Sequence, residues 1–295
     1  MSGPMFSGSI TALITPFTNG KLDDAAFQKL VEWQIEQGVH ALVPCGTTGE
    51  SPTLNHEEDM RVTALCVDIA KGRVPVIAGT GSNATDEAIM LTRAAKEIGA
   101  DAALVVTPYY NKPTQGGLYA HYKAIHDAVD IPIVIYNIPG RCIVDMTVET
   151  MARLAELPNI VGVKDATADL QRPAKTRQAI GADFSQLSGE DATVVPFLAQ
   201  GGHGCISVTS NVAPRLCADL HEAWQARDMS EVERINERLM PLHEALFVES
   251  SPAPVKFAAS ELGLCENRLR LPLVPVSAQT EQRVREAMVH AGLLN

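Results

Sequence analysis

Residues 131–167 read IPIVIYNIPGRCIVDMTVETMARLAELPNIVGVKDAT, and this stretch holds one complete structural repeat. IPIVIYN (131–137) is a near-continuous apolar run, as expected for a parallel strand covered on both faces. YNIPGR (136–141) carries the chain into a polar loop. Thr147 then stands where a helix N-cap belongs, and Met146, Met151 and Leu154 read as the apolar core of that helix. IVGVKD (160–165) is the next strand. Strand, loop, helix and strand in sequence make a βαβ unit.

The same alternation extends in both directions. Upstream lie ITALITPF (10–17), HALVPCG (40–46), VPVIAG (74–79) and AALVVTP (102–108); downstream lie FSQLSG (184–189), the least apolar of the set, and GCISVT (204–209). Helix starts fall between them. Asp23 precedes a face of Phe27, Leu30, Val31 and Ile35, Asn55 precedes another helix, and Thr85 begins one that Gly99 stops. Thr114 and Asn211 are further cap candidates. Gly38, Gly99 and Pro132 sit where helices hand over to strands. Eight such units predict an α/β fold of the (β/α)8 TIM-barrel type rather than an open doubly wound sheet, because the first strand meets TPFTNG and not a GxGxxG turn. Past residue 225 the strand pattern ends and three helical patterns follow. The expected organisation is a catalytic barrel over 1–225 and a small C-terminal helical domain over 226–295.

Composition narrows the function. The chain has 295 residues and a net charge of −11, an acid surplus that argues against nucleic acid as a partner. No apolar run is long enough to span a bilayer. The start, MSGPMFSGS, lacks the basic and apolar segments of a secretory signal, and the six cysteines form no CxxC pair. Free thiols in a cytoplasmic, reducing compartment are the expectation. The eight histidines show no HxH or HExxH spacing, so no metal site is expected.

In a barrel of this kind the chemistry belongs at the carboxyl ends of the strands. GTTGES (46–51), GTGSN (79–83), TPYYNKP (107–113), YNIPGR (136–141), KDAT (164–167) and SGED (188–191) all fall there. Lys164 is the odd member of its apolar strand. It is either an ion-paired or outward-turned lysine, or an amine that burial keeps partly neutral and able to attack a carbonyl. Asp165, the next residue, points the other way if both lie in the strand. Tyr136 ends the neighbouring strand and is either a packed aromatic or a proton carrier for imine chemistry. Thr47 and Thr48, in a glycine turn, suit a small carboxylate or a plain turn. Arg141 is either a surface residue or a clamp for a second carboxylate.

At these residues the chain resembles the pyruvate-dependent, Schiff-base class I aldolases typified by dihydrodipicolinate synthase. GTTGES, TPYYNKP, YNIPGR, the lysine of GVKDAT and GGHGCISVTSN (201–211) follow that family's order and spacing from about residue 6 to the C-terminus. The resemblance implies a (β/α)8 barrel and a homotetramer built as a dimer of tight dimers. It implies that Lys164 forms an imine with pyruvate and that Tyr136, Thr47 and Tyr110 relay protons, Tyr110 from across the tight-dimer interface. Thr47 and Thr48 match the binders of pyruvate's carboxylate, Arg141 the recogniser of the partner aldehyde's carboxylate, and Gly189 and Ile206 the pocket lining. The implied activity is a carbon–oxygen lyase that condenses pyruvate with L-aspartate 4-semialdehyde on the route to diaminopimelate and lysine. No metal or organic cofactor is implied. A regulatory L-lysine site would comprise Ser51, His56, Asn83, Glu87 and Tyr109, although Asp59 stands where lysine-sensitive relatives can carry histidine. A polar interface is the alternative reading there. Cys142 follows Arg141 where threonine is usual, and Asp165 replaces the commoner glutamate.

Three readings compete with this one. Lyases in the wider superfamily act on sialic acid or keto-deoxy sugar acids with the same lysine and tyrosine. A metal-dependent aldolase would need the missing histidine cluster. A non-catalytic carboxylate-binding barrel would have no need of Lys164.

Overall fold

The computed structural model describes residues 3–295. Eight parallel strands carry the fold: β1 (Gly8–Ala12), β2 (Ala41–Val43), β3 (Ile77–Gly79), β4 (Ala102–Val106), β5 (Ile133–Asn137), β6 (Ile160–Asp165), β7 (Ser185–Ser188) and β8 (Gly204–Ser207). They form one sheet in the order β2-β1-β8-β7-β6-β5-β4-β3, a nearly closed barrel with helices between successive strands and a helical part at the C-terminus. The chain divides by contacts into two compact units, residues 75–206 with residues 3–7, and residues 8–74 with 207–295.

In the first unit the strands align in parallel register, with Val106 opposite Tyr136 and Tyr136 opposite Lys164. Burial on both faces explains the apolar runs. Val105, Ile133, Ile135 and Val163 pack with Leu118, Tyr122, Ile125, Met151 and Leu154 from the helices Gln115–Ala128 and Val148–Ala155. The buried Tyr122 hydroxyl is satisfied, donating to the Val105 carbonyl at 2.8 Å. Met146 is core, as expected, but sits just before the helix rather than in it. Thr147 accepts from the Thr150 amide, and Thr114 likewise caps its own helix. FSQLSG does form a strand. At Gly162 a Cβ would lie 2.5 Å from the Ser185 carbonyl oxygen, so β6 and β7 can approach only because that side chain is missing.

In the second unit β1 pairs with β2 through Ile10–Ala41, Thr11–Leu42 and Ala12–Val43. Asp23 caps the helix Asp24–Glu36, and Asn55 forms a reciprocal capping box with Glu58 at the start of the helix His56–Ala70. The first apolar segment is shorter as a strand than its sequence suggests. β1 stops at Ala12, and Phe17–Thr18 pairs antiparallel with Lys21–Leu22 around Asn19 and Gly20, whose φ values of 49° and 76° suit a tight hairpin turn.

Asn211 is not a helix cap. The helix Pro214–Gln225 has Ala213 at that position, and Pro214 supplies the pre-set φ of a first turn. Asn211 is fully buried; its side-chain amide donates to the Ala12 carbonyl at 2.7 Å, and its Oδ1 accepts from the Ile14 amide at 2.9 Å. It satisfies backbone groups at and just past the end of β1. Helices Met229–Ala245, Ala253–Glu261 and Ala278–His290 follow, as the periodicity predicts. Among the described residues no helix is long and apolar enough to cross a membrane.

Candidate active site

The first unit brings Lys164 and Tyr136 together. Both occupy strand ends, both are buried, and they are register partners across β5 and β6. Lys164 Nζ lies 4.3 Å from the centroid of the Tyr136 ring. The electron-rich ring face steadies a nearby ammonium without forming a salt bridge with it.

The acid beside Lys164 is engaged elsewhere. Asp165 accepts from Arg172 Nε at 2.9 Å through one oxygen, and from the Thr167 amide and hydroxyl at 2.9 and 2.6 Å through the other. The Arg172 guanidinium also donates to the Met146 carbonyl at 2.7 Å and lies 3.4 Å from Asp145. Asn137 completes the cluster, donating to Asp145 at 2.7 Å and accepting from the Met146 amide at 3.0 Å. Strand alternation thus turns Lys164 and its neighbour acid to opposite faces, as the sequence predicts.

Glu190 was not among the substrate contacts expected from the sequence. It is half-buried after β7; burial and Asp191 push its carboxyl above the usual range, while Lys164 and Arg141 pull it down. Its electrostatic surroundings therefore include both the lysine and the arginine. Arg141 itself is exposed, on the single helical turn Pro139–Cys142 that follows β5. Cys142 points inward, and burial raises its thiol, so it is a packing group and not a nucleophile. Gly189 lies against Ala166, where a Cβ would come within 2.7 Å of the Ala166 Cβ. Ile206 is fully buried in β8.

TPYYNKP forms the loop after β4. Tyr110 is 90% exposed on left-handed backbone with φ 72°, and Tyr109 is 38% exposed. Asn83 offers its carbonyl to the Asn111 side chain at 2.8 Å. Glu87 accepts from the Ser82 hydroxyl on the first turn of its helix.

The second unit holds the GTTGES turn after β2. Gly49 and Glu50 donate their amides to the carbonyls of Gly46 and Thr47 at 3.0 and 3.1 Å, which folds Thr47 and Thr48 into a tight double turn. The turn is framed by left-handed, non-glycine backbone at Cys45 (φ 55°) and Glu50 (φ 58°). Thr47 is half-buried and Thr48 buried. Ser51 and His56 lie just beyond, His56 exposed as the first residue of its helix. Sequence reasoning missed what holds this turn. Glu50 and Lys256 form an ion pair in which both side chains are fully buried. The available signal was Lys256 itself, a lone cation in the apolar run PAPVKFAAS, the same anomaly that marks Lys164.

Comparison with known proteins extends over nearly the whole chain. The model of the dihydrodipicolinate synthetase family matches residues 5–291. The chain is 70% identical over 290 residues to a protein of Rhodospirillum centenum named 4-hydroxy-tetrahydrodipicolinate synthase, covering 98% of this chain and all of that one. It superimposes with a TM-score of 0.95 on the chloride-inhibited dihydrodipicolinate synthase of Acinetobacter baumannii complexed with pyruvate, at 47% identity, covering 98% of this chain and 99% of that one. With the enzyme of Cyanidioschyzon merolae solved with lysine bound, the TM-score is 0.95 and the identity 42%, covering 99% and 100%.

Proposed function

The chain belongs to the dihydrodipicolinate synthetase family, and on that premise we propose that it condenses pyruvate, held as a lysine-bound enamine, with L-aspartate 4-semialdehyde to give 4-hydroxy-tetrahydrodipicolinate. One observation carries the chemistry to particular atoms: Lys164 Nζ over the Tyr136 ring at adjacent strand ends.

The reaction balances without any further redox partner. The Lys164 amine adds to the ketone of pyruvate, and loss of water leaves a protonated imine. That iminium draws electrons from the adjacent methyl group, a proton leaves, and an enamine forms. The enamine carbon attacks the aldehyde, and the new alkoxide takes a proton through Tyr136 and Thr47. The substrate's own amine then adds to the imine carbon and expels Lys164 as the free amine, closing the ring.

The remaining roles follow the same logic. Thr47 and Thr48 hold the keto acid's carboxylate, supported by their place in a tight turn with small neighbours. Arg141 takes the semialdehyde's carboxylate, supported by a guanidinium that can bond it bidentately. Gly189 and Ile206 line the pocket. Tyr110 completes the relay of a neighbouring subunit in a tight dimer, two of which make a tetramer. L-Lysine binds through Ser51, His56, Asn83, Glu87 and Tyr109 and inhibits; the lysine-bound relative supports this reading, and a flat initial rate up to millimolar L-lysine would exclude it.

Borohydride reduction in the presence and absence of pyruvate, followed by peptide mass analysis, tests the core of the mechanism. A pyruvate-dependent adduct on Lys164, absent from Lys164→Ala, is expected. An adduct elsewhere, or none, removes the assignment. Turnover of pyruvate with aspartate semialdehyde, measured beside cleavage of keto-deoxy sugar acids, tests the substrates.

A further inference from the structure

Lys256 and Glu50 have no assigned part in the reaction, yet they are the most deeply buried ion pair described, with no exposed side-chain surface on either partner. A buried pair of this kind is weak as a source of stability, because desolvation offsets most of the attraction. What it does well is fix geometry. The geometry it fixes is that of the Thr47–Thr48 turn.

Glu50 is tied at both carboxylate oxygens. Oε1 meets Lys256 Nζ, and Oε2 accepts from the Arg270 amide at 3.0 Å. Its own amide closes the turn on the Thr47 carbonyl at 3.1 Å. Its backbone sits at φ 58°, a conformation that a side chain disfavours and that the surroundings must enforce. Lys256 is held in turn. It projects from the helix Ala253–Glu261, and its ammonium lies 4.2 Å from the centroid of the Phe17 ring. The Arg270 guanidinium carbon is 4.4 Å from that centroid, and its nitrogens donate to both oxygens of Glu58 at 2.6 Å. Glu58 is the capping-box acid of the next helix. On the other flank, the Thr15 hydroxyl donates to the Gly49 carbonyl at 2.7 Å, and a Cβ on Gly49 would lie 3.1 Å from the Leu13 carbonyl. The turn thus has no slack on either side. Burial lowers the Lys256 pKa while Glu50 opposes that shift.

We infer that Lys256 and Glu50 are positioning residues for keto-acid recognition: through their ion pair, the helix Ala253–Glu261 sets the Thr47–Thr48 turn in the conformation that receives the substrate's carboxylate. This rests on the function proposed above, and it assigns to a helix far along the chain a share of pyruvate specificity. A displacement of the turn by a fraction of an ångström weakens carboxylate binding more than it weakens the chemistry at the lysine.

The test compares the wild-type protein with Glu50→Gln, Lys256→Met and the double variant Glu50→Gln/Lys256→Met. Melting temperature and circular dichroism establish which are folded, and kinetics are measured only well below each melting point. Wild-type turnover of both substrates is measured first; if there is none, the proposed function fails and the positioning role is not at issue. With an active wild type, the expected result is a pyruvate KM raised about tenfold or more, with the semialdehyde KM within about twofold. The pyruvate concentration for half-maximal borohydride trapping on Lys164 should rise in parallel. A purely structural pair lowers the melting temperature and leaves the pyruvate KM unchanged, and that result overturns the inference. So does an equal rise in both KM values. If none of the three variants folds, Lys256→Arg, which keeps the charge but not the length, supplies the kinetic comparison. Failure of that variant to fold as well marks the pair as a fold determinant and rejects the positioning role.

Discussion

At the scale of single residues, Lys164 and Tyr136 share strand ends and a 4.3 Å contact but do different work. In the proposed mechanism the lysine is consumed and regenerated as a covalent partner, whereas the tyrosine only moves protons. Tyr136→Phe should therefore leave the pyruvate adduct on Lys164 intact and slow turnover by about 10²–10⁴, the usual contribution of a positioned acid or base. Trapping and steady-state kinetics on the same preparation separate the two effects, and loss of the adduct would move Tyr136 into imine formation itself. Arg172 makes a different kind of prediction. It is buried against Asp165 and serves Asp145 and the Met146 carbonyl as well. Arg172→Ala strands a buried carboxylate and should cost about 3 kcal/mol in a denaturant titration. The lysine was legible in the sequence because a cation is conspicuous in an apolar strand. Glu190 was legible only as part of a polar strand end, SGED; only folding brings that acid under the influence of Lys164 and Arg141.

At the scale of elements, the strands were legible for a physical reason. Burial on both faces removes the polar alternation, so most barrel strands appear as apolar runs; β7, SQLS, is the exception. Misreadings cluster where a local signal has two uses. ITALITPF continues apolar past β1 because Leu13 and Ile14 stay buried beyond its end, and the Asn-Gly of TPFTNG serves a hairpin turn that an apolar run does not announce. Asn211 has the right chemistry for a cap but spends it on strand backbone. The helix His56–Ala70 offers a test of electrostatics at this level. Its first turn carries Glu57, Glu58 and Asp59, and burial raises Asp59 from 3.8 to about 6. The folded state therefore holds this proton more tightly than the unfolded chain. The stability it contributes is present below pH 4 and is lost as pH rises through about 6. Asp59→Asn abolishes that loss. Its melting temperature, relative to wild type, should climb between pH 4.5 and 7.5, and a constant difference across that range would show that Asp59 ionises freely.

At the scale of the whole molecule, the question is whether one chain makes a complete site. Tyr110 is the residue that decides it. Its ring is almost wholly exposed and its backbone left-handed at φ 72°, a conformation that bulky residues avoid unless something outside the turn rewards it. The family resemblance assigns that reward to a neighbouring subunit, where Tyr110 serves another chain's Lys164. An isologous dimer makes this testable by complementation. Lys164→Ala lacks the covalent amine, and Tyr110→Phe lacks the relay hydroxyl, so each alone is strongly impaired. In a mixed dimer, the Lys164 of one chain meets the Tyr110 of the other, and one of the two sites is intact. Co-expressing the variants in equal amounts yields mixed dimers as about half of the population, so activity should recover to about a quarter of wild type. If Tyr110 acts within its own chain, the mixed dimer pairs a lysine without its tyrosine and a tyrosine without its lysine, and no activity returns. Recovery requires both side chains on different polypeptides, which no rearrangement inside a single subunit can imitate.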